Sequence, residues 1–597
     1  ALNAASWNRS LDMAAIGNGR LSLGASREVA YTASSLGAGA DGVYRLGSGS
    51  YHRNAPPKLV FSGTDNLFTG ARSVELNGTY AYPFVGDVSH STTIVLHNPN
   101  DYTGGTTLSG GTLTIGHNGA LGLGALRFRN GTLSTIGGPR TITNQIVFDG
   151  PTTAFCYFGG TDPLTITKPL DLNGQRRFLI NENAHSVTLA GAVTNGTLAA
   201  TYGTWFLSGP NAGQLEINDY AQVYVADDTA LGAPGATLRV YNGILRPQAS
   251  FTSSRRLDFG STSNARILTA GHTLTLTGST AGTFEKGEAG TLILRGAGPF
   301  SSLMNVSGGT LLLETSGAKS ATVAVSADGT VRGSGAIALH GIDAAAGGTV
   351  SPGNPIGSFS CTSGWTSLQP GSLLKIAIGG RDRGTGYSHL DAGDAMLGGD
   401  LEVRLVNDFV PQPGDSFAIF TANAAPWPHT FGAWSFPRLP HRQTFRLNYS
   451  ATAVTLSVGT IGSYDEWTHS HFSIAQQRNA ALSARTADLD GDGLSNFAEY
   501  FSGSDPADNG SRPLLEIGTA REGEASYATL TFPMATGMSD VSYKVETADA
   551  LTSAWTEASF VEIARLPANG IDTVTVKMLV ATDGAKTRFY RLKLASL

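Results

Sequence analysis

A short Gly-Thr-Leu cassette recurs along the chain, and this repetition restricts the possible folds more than any other feature. Residues 110–115 read Gly-Gly-Thr-Leu-Thr-Ile, residues 290–294 read Gly-Thr-Leu-Ile-Leu, and residues 308–313 read Gly-Gly-Thr-Leu-Leu-Leu. Apolar and polar side chains alternate in these segments, which is the pattern of a short strand that buries one face. A strand this short buries its apolar face only when a neighbouring coil stacks on it. The repeats therefore predict a β-solenoid over residues 1–460, with the repeat-rich part at residues 91–315.

The overall composition favours short strands joined by tight turns. Glycine occurs 76 times, roughly twice its average usage, and charged residues make up 14% of the chain, below the usual ~25%. The net charge of -6 provides no basic surface for nucleic acid. No apolar run approaches the ~20 residues that span a bilayer, so we expect no membrane span. The two cysteines, Cys156 and Cys361, are expected to be small buried side chains, and their pairing stays open.

Residues 488–499 carry the sharpest chemical motif, Asp-Leu-Asp-Gly-Asp-Gly-Leu-Ser-Asn-Phe-Ala-Glu. Acidic residues stand at positions 1, 3, 5 and 12, with glycine at position 6 and an amide at position 9, which is the pattern of an EF-hand-type calcium loop. A single loop of this kind favours a stabilising role over a signalling role. The predicted cofactor is therefore Ca²⁺, with ligands from Asp488, Asp490, Asp492, Leu494 (through its carbonyl), Asn496 and Glu499.

The composition changes near Ile461. Residues 465–485 contain no glycine and carry apolar residues at helical spacing, and residues 495–501 read as a second short helix. From about residue 511 alternating strands return, which favours a small β-sandwich. We therefore predict a helical calcium-loop unit at residues 461–510 and a β-sandwich at residues 511–597.

Two parts of the chain resemble known bacterial proteins. Residues 102–107, 110–113 and 120–122 resemble the passenger-associated transport repeat of autotransporters. Residues 348–354, 386–387 and 397–401 resemble the segment that usually follows such repeats. Residues 464–597 resemble the C-terminal tails of large secreted surface proteins, where a Trp helix, an Asp-rich loop and a terminal β-domain recur. These resemblances imply a right-handed parallel β-solenoid and a secreted or bacterial cell-surface location.

Catalytic candidates are weak by comparison. Parallel β-helices also carry polysaccharide lyases and glycoside hydrolases, so the fold alone does not decide the function. Asp382, Asp391 and Asp394 are the best local carboxylates, although loop acids between strands are more typical of a solvated surface. Asp227 and Asp228 fit turn chemistry at a repeat corner.

Histidine and tyrosine offer further candidates. His469 and His471 are better explained as part of a helix surface than as metal ligands. One set of tyrosines would form a sugar-stacking stripe along a solenoid face, or would pack between coils. The set consists of Tyr102, Tyr202, Tyr220, Tyr224 and Tyr241.

We therefore expect a non-enzymatic secreted or cell-surface protein, structural or adhesive, such as an adhesin stalk or a filament subunit stabilised by Ca²⁺. The alternative is a carbohydrate-binding or carbohydrate-cleaving β-helix protein. The expected partners are a surface polysaccharide or host surface and further copies of the chain, and not nucleic acid. Apolar residues follow the start without a polar cap, so the first coil is expected to be closed by upstream sequence or by another molecule, and we expect head-to-tail contact through residues 1–30. The apolar residues are Leu11, Met13, Ile16, Leu21 and Leu23.

Overall fold

The structure, a computed structural model, is a parallel β-solenoid of about 15 turns followed by helices and antiparallel sheets. It describes residues 1–47, 57–80, 90–181, 185–260, 264–296, 303–314, 321–423, 430–582 and 586–597. Strands account for 50% of the residues and helices for 6%. The predicted solenoid is thereby confirmed, while its right-handed sense stays a prediction. The described residues form two units, one up to residue 323 and one from residue 324.

The first unit consists of short strands that pair in parallel from coil to coil, with one antiparallel pair, Thr79–Tyr80 with His90–Ser91. Two single-turn 3-10 helices, Met13–Ala15 and Asp228–Leu231, lie at corners. The remaining strands are Ser6–Trp7, Leu11–Asp12, Glu28–Tyr31, Leu36–Gly37, Val43–Leu46, Lys58–Phe61, Ser73–Leu76, Thr93–Leu96, Thr106–Leu108, Thr112–Ile115, Leu126–Phe128, Gly131–Thr135, Arg140–Ile142, Ile146–Val147, Phe155–Gly160, Leu164–Ile166, Leu170–Asn181, Ser186–Leu189, Val193–Thr201, Thr204–Leu207, Gln214–Asn218, Gln222–Val225, Leu238–Tyr241, Ile244–Pro247, Phe251–Ser253, Leu257–Asp258, Ala265–Leu268, Thr273–Leu276, Thr280–Ala281, Phe284–Gly287, Thr291–Leu294 and Leu303–Leu313.

Apolar side chains at the same register position stack into columns inside the coils. Leu59 pairs with Ile94, Ile94 with Leu113, Leu113 with Leu133, and Leu133 with Phe158. All five side chains are fully buried. The cassette leucines thus occupy the positions that the alternating pattern predicts, because alternate residues of a strand point to the same face.

The second unit also contains parallel coils, and an antiparallel strand closes them. Ser416–Ala422 pairs in parallel with His389–Leu397. Its other partner, Ala453–Thr460, is antiparallel to it and also pairs antiparallel with Gln443–Tyr449. This pairing occupies an edge that would otherwise present free N–H and C=O groups. The other strands of this part are Thr322–Gly333, Gly335–Ala338, Gly341–Ala344, Thr349–Ser351, Gly357–Leu368, Leu373–Ile378, Asp400–Leu405 and Trp434–Ser435, with a 3-10 helix at Pro440–Arg442.

Four short helices follow the solenoid. They are α1 (Tyr464–His471), α2 (Ile474–Gln477), α3 (Ala480–Ser483) and α4 (Asn496–Ser502). The glycine-free segment predicted as one helix is therefore broken in two places, because the side chains of Ser473 and Asn479 cap new helix starts. Among the described residues, no helix is long and apolar enough to cross a membrane.

The C-terminal residues form two antiparallel sheets. One sheet has the order Glu516–Glu522, Ala525–Ala535, Ile571–Ala581, Phe560–Leu566, and the other has the order Thr556–Glu557, Val541–Ala548, Phe589–Ser596. One buried cluster joins helical and strand residues, including Trp467, Tyr500, Leu530, Val545 and Val574. The residues before and after position 510 therefore share a core.

Both cysteines are buried and free, as expected for small core side chains. Burial raises the pKa of Cys156 and of Cys361 to about 12, because the apolar surroundings disfavour the thiolate. Neither thiol is therefore suited to nucleophilic chemistry at neutral pH.

Truncation of a column residue tests the stacking. Leu133→Ala should lower the free energy of unfolding of the first unit by about 3 kcal/mol, because it leaves a cavity between two stacked coils. Leu123, which is 73% exposed, provides the matched control, and Leu123→Ala should change stability by less than about 0.5 kcal/mol. Urea denaturation followed by circular dichroism measures both, and equal effects of the two substitutions would contradict the column.

Candidate metal centre

The loop between α3 and α4 turns sharply at two glycines. Gly491 and Gly493 have φ angles of 75° and 91°, a left-handed conformation that glycine adopts without a steric penalty. Gly493 occupies the position where the calcium-loop pattern requires the turn. The loop ends at Ser495, whose hydroxyl accepts a hydrogen bond from the N–H of Ala498 and caps α4.

Three aspartates fold this loop back on itself. Asp488 Oδ1 accepts a hydrogen bond from Gly491 N–H and its Oδ2 accepts one from Gly493 N–H, each at 2.8 Å. Asp490 Oδ1 accepts from Asp492 N–H at 3.1 Å. Each of the carboxylates of Asp488, Asp490 and Asp492 offers an oxygen within 4.8 Å of the others.

Glu499, in the first turn of α4, is the most unusual group of the site. Its side chain is fully buried, yet neither carboxylate oxygen has a hydrogen-bond partner among the described residues. Asp490 Oδ2 is likewise buried without a partner there. Burial, followed by repulsion from Asp490, Asp492 and Asp488, raises the pKa of Glu499 to about 8. Carboxylate oxygens that are buried without donors destabilise a fold unless a cation or a proton compensates them.

The two remaining predicted ligands are positioned differently. Asn496 is buried, and its Nδ2 donates to the carbonyls of Leu482 at 2.7 Å and Ala484 at 3.0 Å, so the amide ties α4 to the end of α3. Its Oδ1 is buried without a partner among the described residues. Leu494 follows the aspartates directly, and its N–H donates to Asp492 Oδ1 at 2.7 Å.

A basic residue that the sequence analysis missed also reaches the loop. Arg512 Nε lies 3.2 Å from Asp492 Oδ2. The Asp492 side chain is 1% exposed, whereas that of Arg512 is 58% exposed. Nothing in the calcium-loop pattern indicates this contact, because Arg512 lies outside the loop in a segment that carries no motif.

The carboxylates considered for catalysis are dispersed or already paired. Asp382 and Asp394 are exposed. Asp391 Oδ1 accepts a hydrogen bond from the Thr421 hydroxyl at 2.6 Å, and its Oδ2 lies 3.6 Å from Arg383. Asp227 caps the 3-10 helix at a corner, as turn chemistry predicts, and the neighbouring Asp228 pairs with Arg255.

The five tyrosines do not form one stripe, and Tyr102 follows the alternative expectation of packing between coils. Tyr102 is fully buried and hydrogen bonds to Thr106 inside the coils. Tyr202 and Tyr220 are exposed at corners, whereas Tyr224 stacks on Phe206 with ring centroids 4.7 Å apart. The remaining member of the set, Tyr241, donates to Asp258 at 3.0 Å.

The two candidate histidines lie against aromatic side chains. His471 stacks on the Trp467 indole with ring centroids 4.6 Å apart, and its Nδ1 lies 2.9 Å from the Trp467 carbonyl. His469 packs on Trp434 with centroids 4.6 Å apart. Burial lowers the pKa of both, that of His471 to about 3. Both rings therefore serve packing in the neutral form.

No protein-family model matches the chain, and no curated protein matches it either.

The chemistry of the loop is therefore inferred from the atoms that could act as ligands. Carboxylate, amide and carbonyl oxygens are hard ligands of the kind that Ca²⁺ and Mg²⁺ prefer. The residues present therefore fit a hard divalent cation, with Asp488, Asp490, Asp492 and Glu499 as the charged ligands.

The partly buried histidines predict an acid-sensitive contribution to the stability of the second unit. The folded-state pKa of His471 lies below its unfolded value of about 6.5, so the stability it contributes is present above that pH and is lost as pH falls toward 3. Between pH 7 and pH 5 His471 alone should contribute a fall of about 1–2 kcal/mol to the free energy of unfolding, while Glu499, whose pKa is raised, contributes with the opposite sign. The free energy of unfolding of His471→Asn should therefore fall less, or rise more, than that of the parent protein between these pH values, since His389, His469 and Glu499 are unchanged in it.

Urea denaturation at pH 7 and pH 5 measures this change in the free energy of unfolding. His97→Asn, at an exposed histidine of the first unit, controls for the loss of one histidine. An unchanged pH dependence of the free energy of unfolding in His471→Asn would contradict a neutral, partly buried His471.

Proposed function

We propose that the chain is a non-enzymatic structural or adhesive protein, secreted or displayed on a bacterial cell surface, whose C-terminal region is stabilised by Ca²⁺. In this proposal the solenoid is of the autotransporter type, and the tail combines an EF-hand-like loop with a β-sandwich. The observation that carries the proposal is Glu499, a fully buried carboxylate without hydrogen-bond donors beside three aspartates.

Calcium would satisfy the groups that the chain leaves unpaired. Asp488, Asp490, Asp492 and Glu499 would supply charged oxygens, and the Leu494 carbonyl and Asn496 Oδ1 would complete the ligand set. The ion would hold α4 against the preceding loop, and α4 contributes Tyr500 and Phe501 to the core shared with the terminal sheets. Loss of the ion should therefore loosen the C-terminal region rather than abolish a reaction.

The scaffold interpretation also draws support from the solenoid. Glycoside hydrolysis needs two facing carboxylates, whereas Asp391 is engaged by Thr421 and Arg383 and Asp382 and Asp394 are exposed. The carbohydrate-cleaving alternative makes a different prediction. Release of reducing sugars from a polysaccharide, abolished by Asp391→Asn, would replace the scaffold proposal with that alternative.

Removal of the Glu499 charge tests the metal centre. Titration calorimetry should find one Ca²⁺ per chain, with a dissociation constant in the range of about 10⁻⁴–10⁻³ M that extracellular modules use. Glu499→Gln should abolish binding. In chelator at pH 7 the same variant should melt at about the same temperature as the parent, because burial and the three aspartates raise the pKa of Glu499 to about 8 and keep its carboxyl largely protonated there.

Asp508→Asn is the matched control, since Asp508 is an exposed acid outside the loop. It should bind Ca²⁺ like the parent protein. A parent protein whose melting temperature is the same in calcium and in chelator would overturn the proposed stabilisation.

Head-to-tail assembly through the first coil is a further part of the proposal. Among the described residues of the first unit, Ser6–Trp7 pairs with Glu28–Tyr31 and with no strand on its other edge. Of the apolar residues in this region, Met13 and Leu23 are buried, whereas Ile16 is 38% and Leu21 is 51% exposed. Exposed apolar side chains of this kind favour contact with another molecule.

We therefore expect polymers that dissociate when the exposed apolar pair is made polar. Ile16→Ser with Leu21→Ser should shift the particle mass measured by multi-angle light scattering toward the monomer. Leu123→Ser, which changes an exposed leucine elsewhere in the first unit, should leave the mass unchanged. A monomeric parent chain would refute this part of the proposal.

A further inference from the structure

We propose that Arg512 is a tethered counter-cation that competes with the bound divalent ion for the carboxylate of Asp492. This inference rests on the proposed calcium site. In this inference Arg512 lowers the affinity of that site for the ion and stabilises the loop when the ion is absent.

The contact involves the carboxylate oxygen that a metal would need. Asp492 Oδ1 accepts the Leu494 N–H at 2.7 Å, so it already serves the loop backbone. Asp492 Oδ2 accepts no hydrogen bond from the loop backbone among the described residues, and it is the oxygen that Arg512 Nε contacts at 3.2 Å. The guanidinium and a metal ion would therefore share or contest one oxygen.

Other arginines in this region are committed elsewhere. Arg485 donates to Asp540 at 2.9 Å, Arg438 pairs with Asp505, and Arg442 lies over the Tyr500 ring. Arg512 is thus the basic side chain that pairs with the loop aspartates among the described residues. A positive charge at this position stabilises the metal-free loop and opposes a divalent cation, because the sign of the Coulomb energy is opposite for the two partners.

The position of Arg512 also suits a group that can leave. Its side chain is 58% exposed, so release from Asp492 requires no repacking of a core. Arg512 stands a few residues before the strand Glu516–Glu522 of the four-stranded sheet. Ion binding would thereby detach the start of this sheet segment from the loop, which couples the loop to the terminal β region.

Calcium titration of charge variants tests the competition. Arg512→Gln should bind Ca²⁺ about fivefold more tightly than the parent at low ionic strength, and it should melt at a lower temperature than the parent in chelator. Arg512→Lys, which keeps the charge, should bind with nearly the parent affinity. Arg521→Gln removes the same charge from an exposed residue without an ion pair among the described residues, and it should leave the affinity unchanged.

The outcomes separate this inference from the proposal on which it rests. Unchanged or weaker Ca²⁺ binding by Arg512→Gln, in a parent protein that does bind, would overturn the inference alone, since a residue that merely positions Asp492 would lower the affinity when removed. Absence of Ca²⁺ binding by the parent protein would overturn the proposed site and this inference together. Equal tightening by Arg521→Gln would show a general charge effect and would also overturn the inference.

Discussion

The fold depends on the hydrogen-bond ladder between consecutive coils. A strand of three or four residues has no partner within its own coil, so its N–H and C=O groups are satisfied by the coils before and after it. The inward side chains of those coils must then coincide, as Leu113 and Leu133 do at one register position. Repetition of the sequence is therefore a requirement of the architecture, because a single shifted residue would turn the apolar side chains outward.

At the corners of the coils some backbone carbonyl groups lie outside the hydrogen-bond ladder, and these groups need other donors. Lys286 is fully buried, and its ammonium donates to the carbonyls of Gly287, Glu288 and Gly308 at 2.8–2.9 Å. Burial lowers the pKa of Lys286 to about 8. Arg177 acts similarly, donating to the carbonyls of Phe148, Gly150 and Pro151. Long basic side chains thus replace strand partners where the chain turns, and a chain with few charges buries some of them at these points.

The sequence predicts those features that depend on nearby residues. The cassette strands and the glycine turn at Gly493 follow from local alternation and from backbone conformation, so they could be read without a structure. For Tyr102 the sequence left two orientations open, because a tyrosine at a corner faces inward or outward according to how the next coil stacks. Ser473 and Asn479 are capping residues that indicate the breaks after α1 and α2. The helical spacing of the apolar residues nevertheless favours one continuous helix, so the sequence pattern alone predicts the wrong number of helices. The pairing of Arg512 with Asp492 joins residues without a shared pattern, and it required the folded chain.

The buried acidic groups of the calcium-type loop differ from the buried basic groups at the corners in whether the chain supplies partners for their charge. Lys286 meets three carbonyl oxygens and so has partners for its charge within the chain. Glu499 meets three aspartates, and no donor among the described residues reaches its oxygens. A fold retains such a group when a proton, a cation or another gain compensates it. Arg512 compensates the charge of Asp492 alone, because its contact with Asp492 leaves both Glu499 oxygens without a hydrogen-bond partner among the described residues. At neutral pH a proton compensates Glu499, whose pKa is raised to about 8, and under the proposed function a hard divalent cation, to which the surrounding oxygens are suited, would displace that proton on binding.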